Sequence, residues 1–127
     1  MAWFEILPQS CPPECAIDPS GVILYRILEA ETPTNNDFLS QRMLYPNKKF
    51  HVDECQARAI SVFSDIDSCK AVMKFPKYKN KNCRVGQLFL KEQDGVIANT
   101  PSKISKNHFS WWRSTNFDIS SVEVTNE

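Results

Sequence analysis

Three glycines and eight prolines in 127 residues are too few for a low-complexity or disordered chain. No apolar run approaches the ~20 residues that a membrane-spanning helix needs. The first ten residues, MAWFEILPQS, have no basic region and carry Glu5, so a signal peptide is not expected there. The five cysteines are odd in number and unevenly spaced. With no secretion signal, they are expected to be reduced thiols in a cytosolic protein. No internal repeat is visible, and no motif identifies a reaction by itself. A chain of this length suits a single domain, residues 1–127, because two smaller ones would each bury too little surface.

Charge is balanced overall but unevenly placed. Residues 1–40 carry six acids and one base, and residues 41–91 carry eleven bases and four acids. No acid occurs between Asp67 and Glu92. Such an asymmetry can orient the chain against itself or against an anionic partner.

The periodicities predict an α+β fold, with a largely antiparallel sheet of four or five strands and two or three helices. Residues 1–20 are proline-rich and read as an extended arm anchored by Trp3, Phe4, Ile6 and Leu7. VILYRIL (22–28) reads as a central strand buried on both faces. TPTNNDFLSQRML offers caps and then a short helix, YPNKKF a turn, and HVDECQARA another helical turn. AISVF (59–63) reads as a second strand. Ser64 is the expected cap of a helix carrying Asp65 and Asp67 in its first turn, with Ile66, Cys69, Val72 and Met73 facing inward. Pro76 ends that helix, and KYKNKNCR reads as a solvated connector. VGQLFLKEQDGVIANT reads as a hairpin turning at Gln93-Asp94-Gly95. Residues 101–110 read as a loop, and FDISSVEV as a last strand.

KNHFSWWRS (106–114) sets His108, Phe109, Trp111, Trp112 and Arg113 together. Adjacent tryptophans in extended backbone point to opposite faces, so one can fill the core while the other borders a groove. Arg113 can stack on an indole, and His108 can donate or accept a hydrogen bond. As a general base, His108 has no carboxylate near it in sequence to orient it. A metal pattern is weaker. Cys11 and Cys15, with His51 and Cys55, supply four ligands of the zinc type, but Pro12-Pro13 stiffens the first pair and cysteine is a common small buried residue. Cys69 and Cys83 read as structural.

Arg26 is the most informative charge, because a guanidinium inside a central strand is costly unless it is paired or turned into a cleft. An acid such as Glu123 is the expected partner. The "YR" of the first strand, followed by the strand and helix of SVFSDIDSCKA, resembles the ADP-ribosyltransferase superfamily, RES-type toxins included, over about residues 22–92. That resemblance implies a site in which an early-strand arginine contacts NAD, a serine on the next strand lines the nicotinamide pocket and a glutamate completes the set. Arg26 and Ser61 would be the first two, and Glu92 or Glu123 the third.

The leading expectation is a small cytoplasmic interaction domain without its own chemistry or cofactor. It would bind a protein partner through the basic stretch around Lys77, Tyr78 and Lys79 and through the loop of His108, Trp111, Trp112 and Arg113. The alternative is an NAD-using enzyme on the ADP-ribosyltransferase pattern, with Arg26, Ser61 and Glu123 as its catalytic set. A third reading is single-stranded nucleic-acid binding. It would use Lys70, Lys74, Lys77, Lys79, Lys81, Arg84 and Lys91, with Phe75 and Tyr78 interleaved and Trp112 joining them if the hairpin folds back. Neutral net charge weighs against it.

Overall fold

The computed structural model describes residues 1–125. Its strands are β1 (Ile23–Leu28), β2 (Ile60–Phe63), β3 (Arg84–Phe89), β4 (Gly95–Asn99), β5 (His108–Arg113) and β6 (Glu123–Val124). They form one antiparallel sheet in the order β4-β5-β2-β1-β3-β6. Four short helices accompany it: α1 (Gln41–Leu44), α2 (Glu54–Ala57), α3 (Ile66–Met73) and α4 (Pro76–Lys79). The fold is α+β as the periodicities predict, with six strands where four or five were expected.

β1 is central and covered on both sides. Leu24 and Leu28 enter one core with Phe38, Ile60, Val62, Leu88 and Trp111, and Ile27 enters another with Phe63, Cys69 and Val85. β1 pairs with β3 along its whole length, from Ile23 opposite Phe89 to Leu28 opposite Arg84. With β2 it shares only the pair Tyr25 and Phe63. The sheet is therefore two three-stranded halves that touch at one point and part beyond it.

α3 packs its Cys69 face on the second core, with Ile66, Val72 and Met73 around it. Its cap is Asp65, whose side chain accepts from Ser68 N at 3.3 Å, and not Ser64. A carboxylate at this position satisfies the free amide and complements the helix dipole. Pro76 ends α3 and also opens α4, as the first residue of a helix that needs no amide donor there.

Several sequence expectations are corrected. Residues 84–99 do form two strands, but these do not pair as a hairpin; β3 joins β1 and β6 while β4 joins β5, on opposite sides of the sheet. Gly95 does not serve a tight turn. It starts β4 at φ 131°, where a Cβ would lie 2.1 Å from the carbonyl oxygen of Trp112. The predicted loop 101–110 ends early, because β5 begins at His108. In the N-terminal arm, Ile6 is exposed and Glu5 is buried. Glu5 accepts from Ser40 N at 3.0 Å and Ser40 Oγ at 2.6 Å, and Arg58 lies 3.6 Å away. These partners compensate the carboxylate, so burial favours the acid over its apolar neighbour.

The arm follows the β4–β5 side, bridged at Trp3 to Ser114 and at Ile17 to Ile97. A disulfide joins Cys11 to Cys55, against the expectation of reduced thiols. Cys15, Cys69 and Cys83 are free. Among the described residues, no helix is long and apolar enough to cross a membrane.

Candidate functional site

Where β1 and β2 part, a cavity of about 220 Å³ opens, lined by Arg26, Ser61, Phe63, Tyr78 and His108 among others. Its apolar wall includes Ile27, Val72 and Ile104. Each polar group arrives there for a reason that can be traced to the backbone.

Ser61 and Phe63 alternate with the buried Ile60 and Val62 along β2, so they share the opposite face. β5 runs antiparallel beside them, with His108 opposite Phe63 and Ser110 opposite Ser61. His108 is thus a diagonal neighbour of Ser61 on one face, within reach of a long side chain. Its Nε2 lies 3.0 Å from Ser61 Oγ, and its Nδ1 lies 2.7 Å from the Thr100 carbonyl oxygen. A carbonyl only accepts, so Nδ1 carries the proton and Nε2 offers its lone pair to the Ser61 hydroxyl. Phe63 meets the imidazole edge-on, with ring centroids 5.3 Å apart. Burial pulls the His108 pKa below its ordinary value; the Thr100 hydrogen bond opposes this, and the Arg26 charge adds to it. His108 is therefore a neutral base at physiological pH.

Arg26 lies between Leu24 and Leu28 on β1, yet its guanidinium turns into the gap. Nε donates to the Asp37 carbonyl at 2.9 Å and Nη1 to the Ser61 carbonyl at 2.8 Å. The second bond takes a strand acceptor that β1 amides leave free where the ladder opens. No carboxylate pairs with Arg26 among the described residues, so the expected ion pair with Glu123 is not formed. Glu123 sits exposed on β6 opposite Gln87, with β3 between it and β1. Arg26 is half-buried and is one of the residues lining the cleft. Burial lowers the Arg26 pKa, while Tyr78 and Asp37 oppose that shift. An arginine remains cationic at any physiological pH.

Of the three residues that the family resemblance singles out, Arg26 and Ser61 share this cleft. Neither Glu123 nor Glu92 lines it; Glu92 is exposed in the turn before β4. The third chemical group is His108. Sequence reasoning set it aside for want of a nearby carboxylate, but its orienting group is a backbone carbonyl, which no residue identity signals.

The aromatic stretch is not a surface. Trp111 is fully buried between Phe38 and Phe117, donating from Nε1 to the Asp94 carbonyl at 3.1 Å. Trp112 is buried on the opposite face in a third cluster with Ala59 and Ala98, and donates to the Cys55 carbonyl at 2.9 Å. A second cavity of about 290 Å³ borders Trp112, Cys55 and Cys15. Arg113 is buried too. It donates to the Phe38 carbonyl and to Asn35 Oδ1, each at 3.1 Å, with its guanidinium 3.7 Å from the centre of the Phe4 ring. The residues proposed as an aromatic binding loop therefore close the core; of them, His108 lines the cleft between β1 and β2 and Trp112 borders the second cavity.

The zinc pattern is also dissolved. The disulfide uses Cys11 and Cys55, His51 and Cys15 are exposed, and no cluster able to hold a metal occurs among the described residues. Burial, with Asp65 adding to it, pushes the Cys69 thiol up to about 12, which makes it a poor nucleophile.

The charge asymmetry is spent partly inside the molecule. Lys81 pairs with Glu29, Arg84 with Glu31 at 4.0 Å, and Arg58 with Glu5. Lys77 and Lys79 pair with no carboxylate among the described residues. Lys77 lies 5.3 Å from the ring centre of Tyr78, which itself lines the cleft. Compared with protein-family models, curated proteins and solved structures, the chain shows no match.

Proposed function

We propose that the cleft between β1 and β2 binds NAD or a closely similar dinucleotide, on the ADP-ribosyltransferase pattern. The observation that carries this reading is the Arg26 guanidinium. It is fixed by two backbone carbonyls, forms no ion pair with a carboxylate among the described residues and lines a cavity it shares with Ser61. A partly buried guanidinium that no carboxylate contacts directly can still take an anionic ligand, although the Asp37 and Glu29 charges already act on it, and its planar fork suits phosphate. The cavity, about 220 Å³, is smaller than the ~300–1,000 Å³ of sites that enclose a whole drug-sized ligand. It suits one end of a dinucleotide, with the remainder lying outside towards α4 and Lys77. Phe63 and Tyr78 line the cleft with aromatic rings that can pack against a flat heterocycle, and Ser61 brings a hydroxyl.

The competing protein-binding reading loses Trp111, Trp112 and Arg113 to the core, and the nucleic-acid reading loses Trp112. Millimolar NAD should raise the melting temperature of the wild-type protein, by an amount that follows its saturation. Arg26→Gln should abolish the rise. No shift with NAD in the wild type removes the proposal.

A further inference from the structure

Resting on the NAD reading, we infer that His108 is the base of this cleft. It acts through the Ser61 hydroxyl on a water molecule that cleaves the nicotinamide–ribose bond.

The cleft presents few groups able to take a proton near neutral pH. Arg26 from β1 is permanently protonated. Tyr78 from α4 has its pKa raised, chiefly by burial, and Cys69 from α3 is pushed up to about 12. Ser61 and Phe63 from β2 do not titrate. In the segment between β4 and β5, Ser102 and Ile104 line the cavity, whereas Lys103 and Lys106 are exposed and do not. Among the described residues no carboxylate lines it. That leaves the imidazole.

Its geometry is that of a base held ready. Thr100 fixes the tautomer at 2.7 Å through its backbone, so neither a pH change above neutrality nor a side-chain rotation of Thr100 removes the orienting acceptor. The Nε2 lone pair is occupied by the Ser61 hydroxyl at 3.0 Å, so an incoming proton passes along that bond. The Thr100 hydroxyl lies 3.0 Å from Nδ1 and 2.8 Å from Ser110 Oγ, which extends a short polar chain from the ring. A nucleophile and a base within hydrogen-bond reach, the base oriented by a third group, form the arrangement that activates hydroxyls.

The step balances without a redox partner. Water oxygen forms a bond to the anomeric carbon of the nicotinamide ribose. The carbon–nitrogen bond breaks, and its electron pair neutralises the pyridinium nitrogen. One water proton passes to Ser61 Oγ as the Ser61 proton passes to His108 Nε2, and the imidazolium then releases it to solvent. The products are nicotinamide, ADP-ribose and one proton.

The test measures three things on the purified chain: the NAD-induced melting shift, nicotinamide release from pH 5 to 8, and the imidazole nitrogen resonances of His108. The expected result is release in the wild type that falls in acid along a single protonation limb lying below the ordinary histidine pKa. His108→Gln should keep the NAD-induced shift while release falls by about a hundredfold or more, with no acid limb. Ser61→Ala should lose less, because water can occupy the hydroxyl position. The resonances should show Nδ1 protonated and Nε2 free in the neutral ring. No melting shift in the wild type overturns the NAD reading itself. A shift without nicotinamide release overturns the base and leaves that reading standing. Release that persists in His108→Gln, the opposite tautomer, or a stable ADP-ribosyl adduct on Ser61 overturns the proton relay.

Discussion

Replacing Cys11 and Cys55 together by serine should destabilise the protein mainly through its unfolded state. The disulfide closes 44 residues of sequence separation. Loop-closure entropy for that span is about 13 cal/mol/K, or about 4 kcal/mol at room temperature. The native arm should stay where it is, because other contacts hold it. Phe4 N donates to the Arg113 carbonyl at 3.0 Å, Ile17 and Ile97 exchange backbone bonds at 2.7 and 2.9 Å, and Glu5 holds Ser40. Unfolding entropy scales at ~2.1 cal/mol/K per residue, which for this chain is about 0.27 kcal/mol/K. The melting temperature should therefore fall by about 15 °C. The assay is a circular-dichroism melt of oxidised wild type, reduced wild type and the double variant, with urea titrations beside it. The urea slope should rise, since the freed chain exposes more surface when unfolded. Thiol counting in denaturant should find only Cys15, Cys69 and Cys83 in the oxidised protein. A melting temperature within about 3 °C of wild type in both reduced and double-variant forms would refute the reasoning, since the loop constraint would then contribute little.

Gly95→Ala should destabilise strongly, because the new Cβ would meet the Trp112 backbone at 2.1 Å in a conformation that strains any other residue by ~1–3 kcal/mol; a wild-type melting curve would contradict the assigned backbone. Trp111→Ala should cost about 3–5 kcal/mol from lost packing alone, and a soluble variant with unchanged urea midpoint would show that the core is misplaced. Brief native alkylation followed by peptide mapping should label exposed Cys15 well before buried Cys69, and early labelling of Cys69 would contradict its burial and its raised pKa. Lowering pH below the ordinary histidine pKa should erode stability in the wild type, since a depressed folded pKa contributes stability that is present above the unfolded value and lost as pH falls through the folded one. His108→Gln should flatten that part of the pH profile, and an unchanged slope would remove the histidine from the account.

Strand content was legible wherever one periodicity dominated. VILYRIL reads as a two-sided central strand because Leu24, Leu28 and Ile27 are all needed by cores, and the structure buries each of them. The helix over Ile66–Met73 follows from its apolar spacing. β5 was missed because HFSWWR lacks alternation: both its faces are covered, by different clusters, so its tryptophans need not take turns between core and solvent. The hairpin expected over 85–100 was misread because local turn chemistry reports where a chain bends and not which strand it bends towards. At the cleft, Arg26 stood out through its cost in a strand and Ser61 through resemblance, whereas the pairing of Ser61 with His108 depends on the β2–β5 register. That register is set by contacts 47 residues apart in sequence, which no local pattern records.

The gap between the two halves of the sheet also has a consequence for how the molecule forms. One half contains β4, β5 and β2, and the other β1, β3 and β6. The chain alternates between them, crossing from β1 to β2, from β2 to β3, from β3 to β4 and from β5 to β6. No single cut separates the two halves, and one is complete only after β5 and the other only after β6, so neither can form on a nascent chain before nearly the whole sequence has been made. Most pairings must then wait for distant partners, which slows folding and leaves unpaired strand edges in the interim. The cleft, framed by both halves, is completed only when they have met.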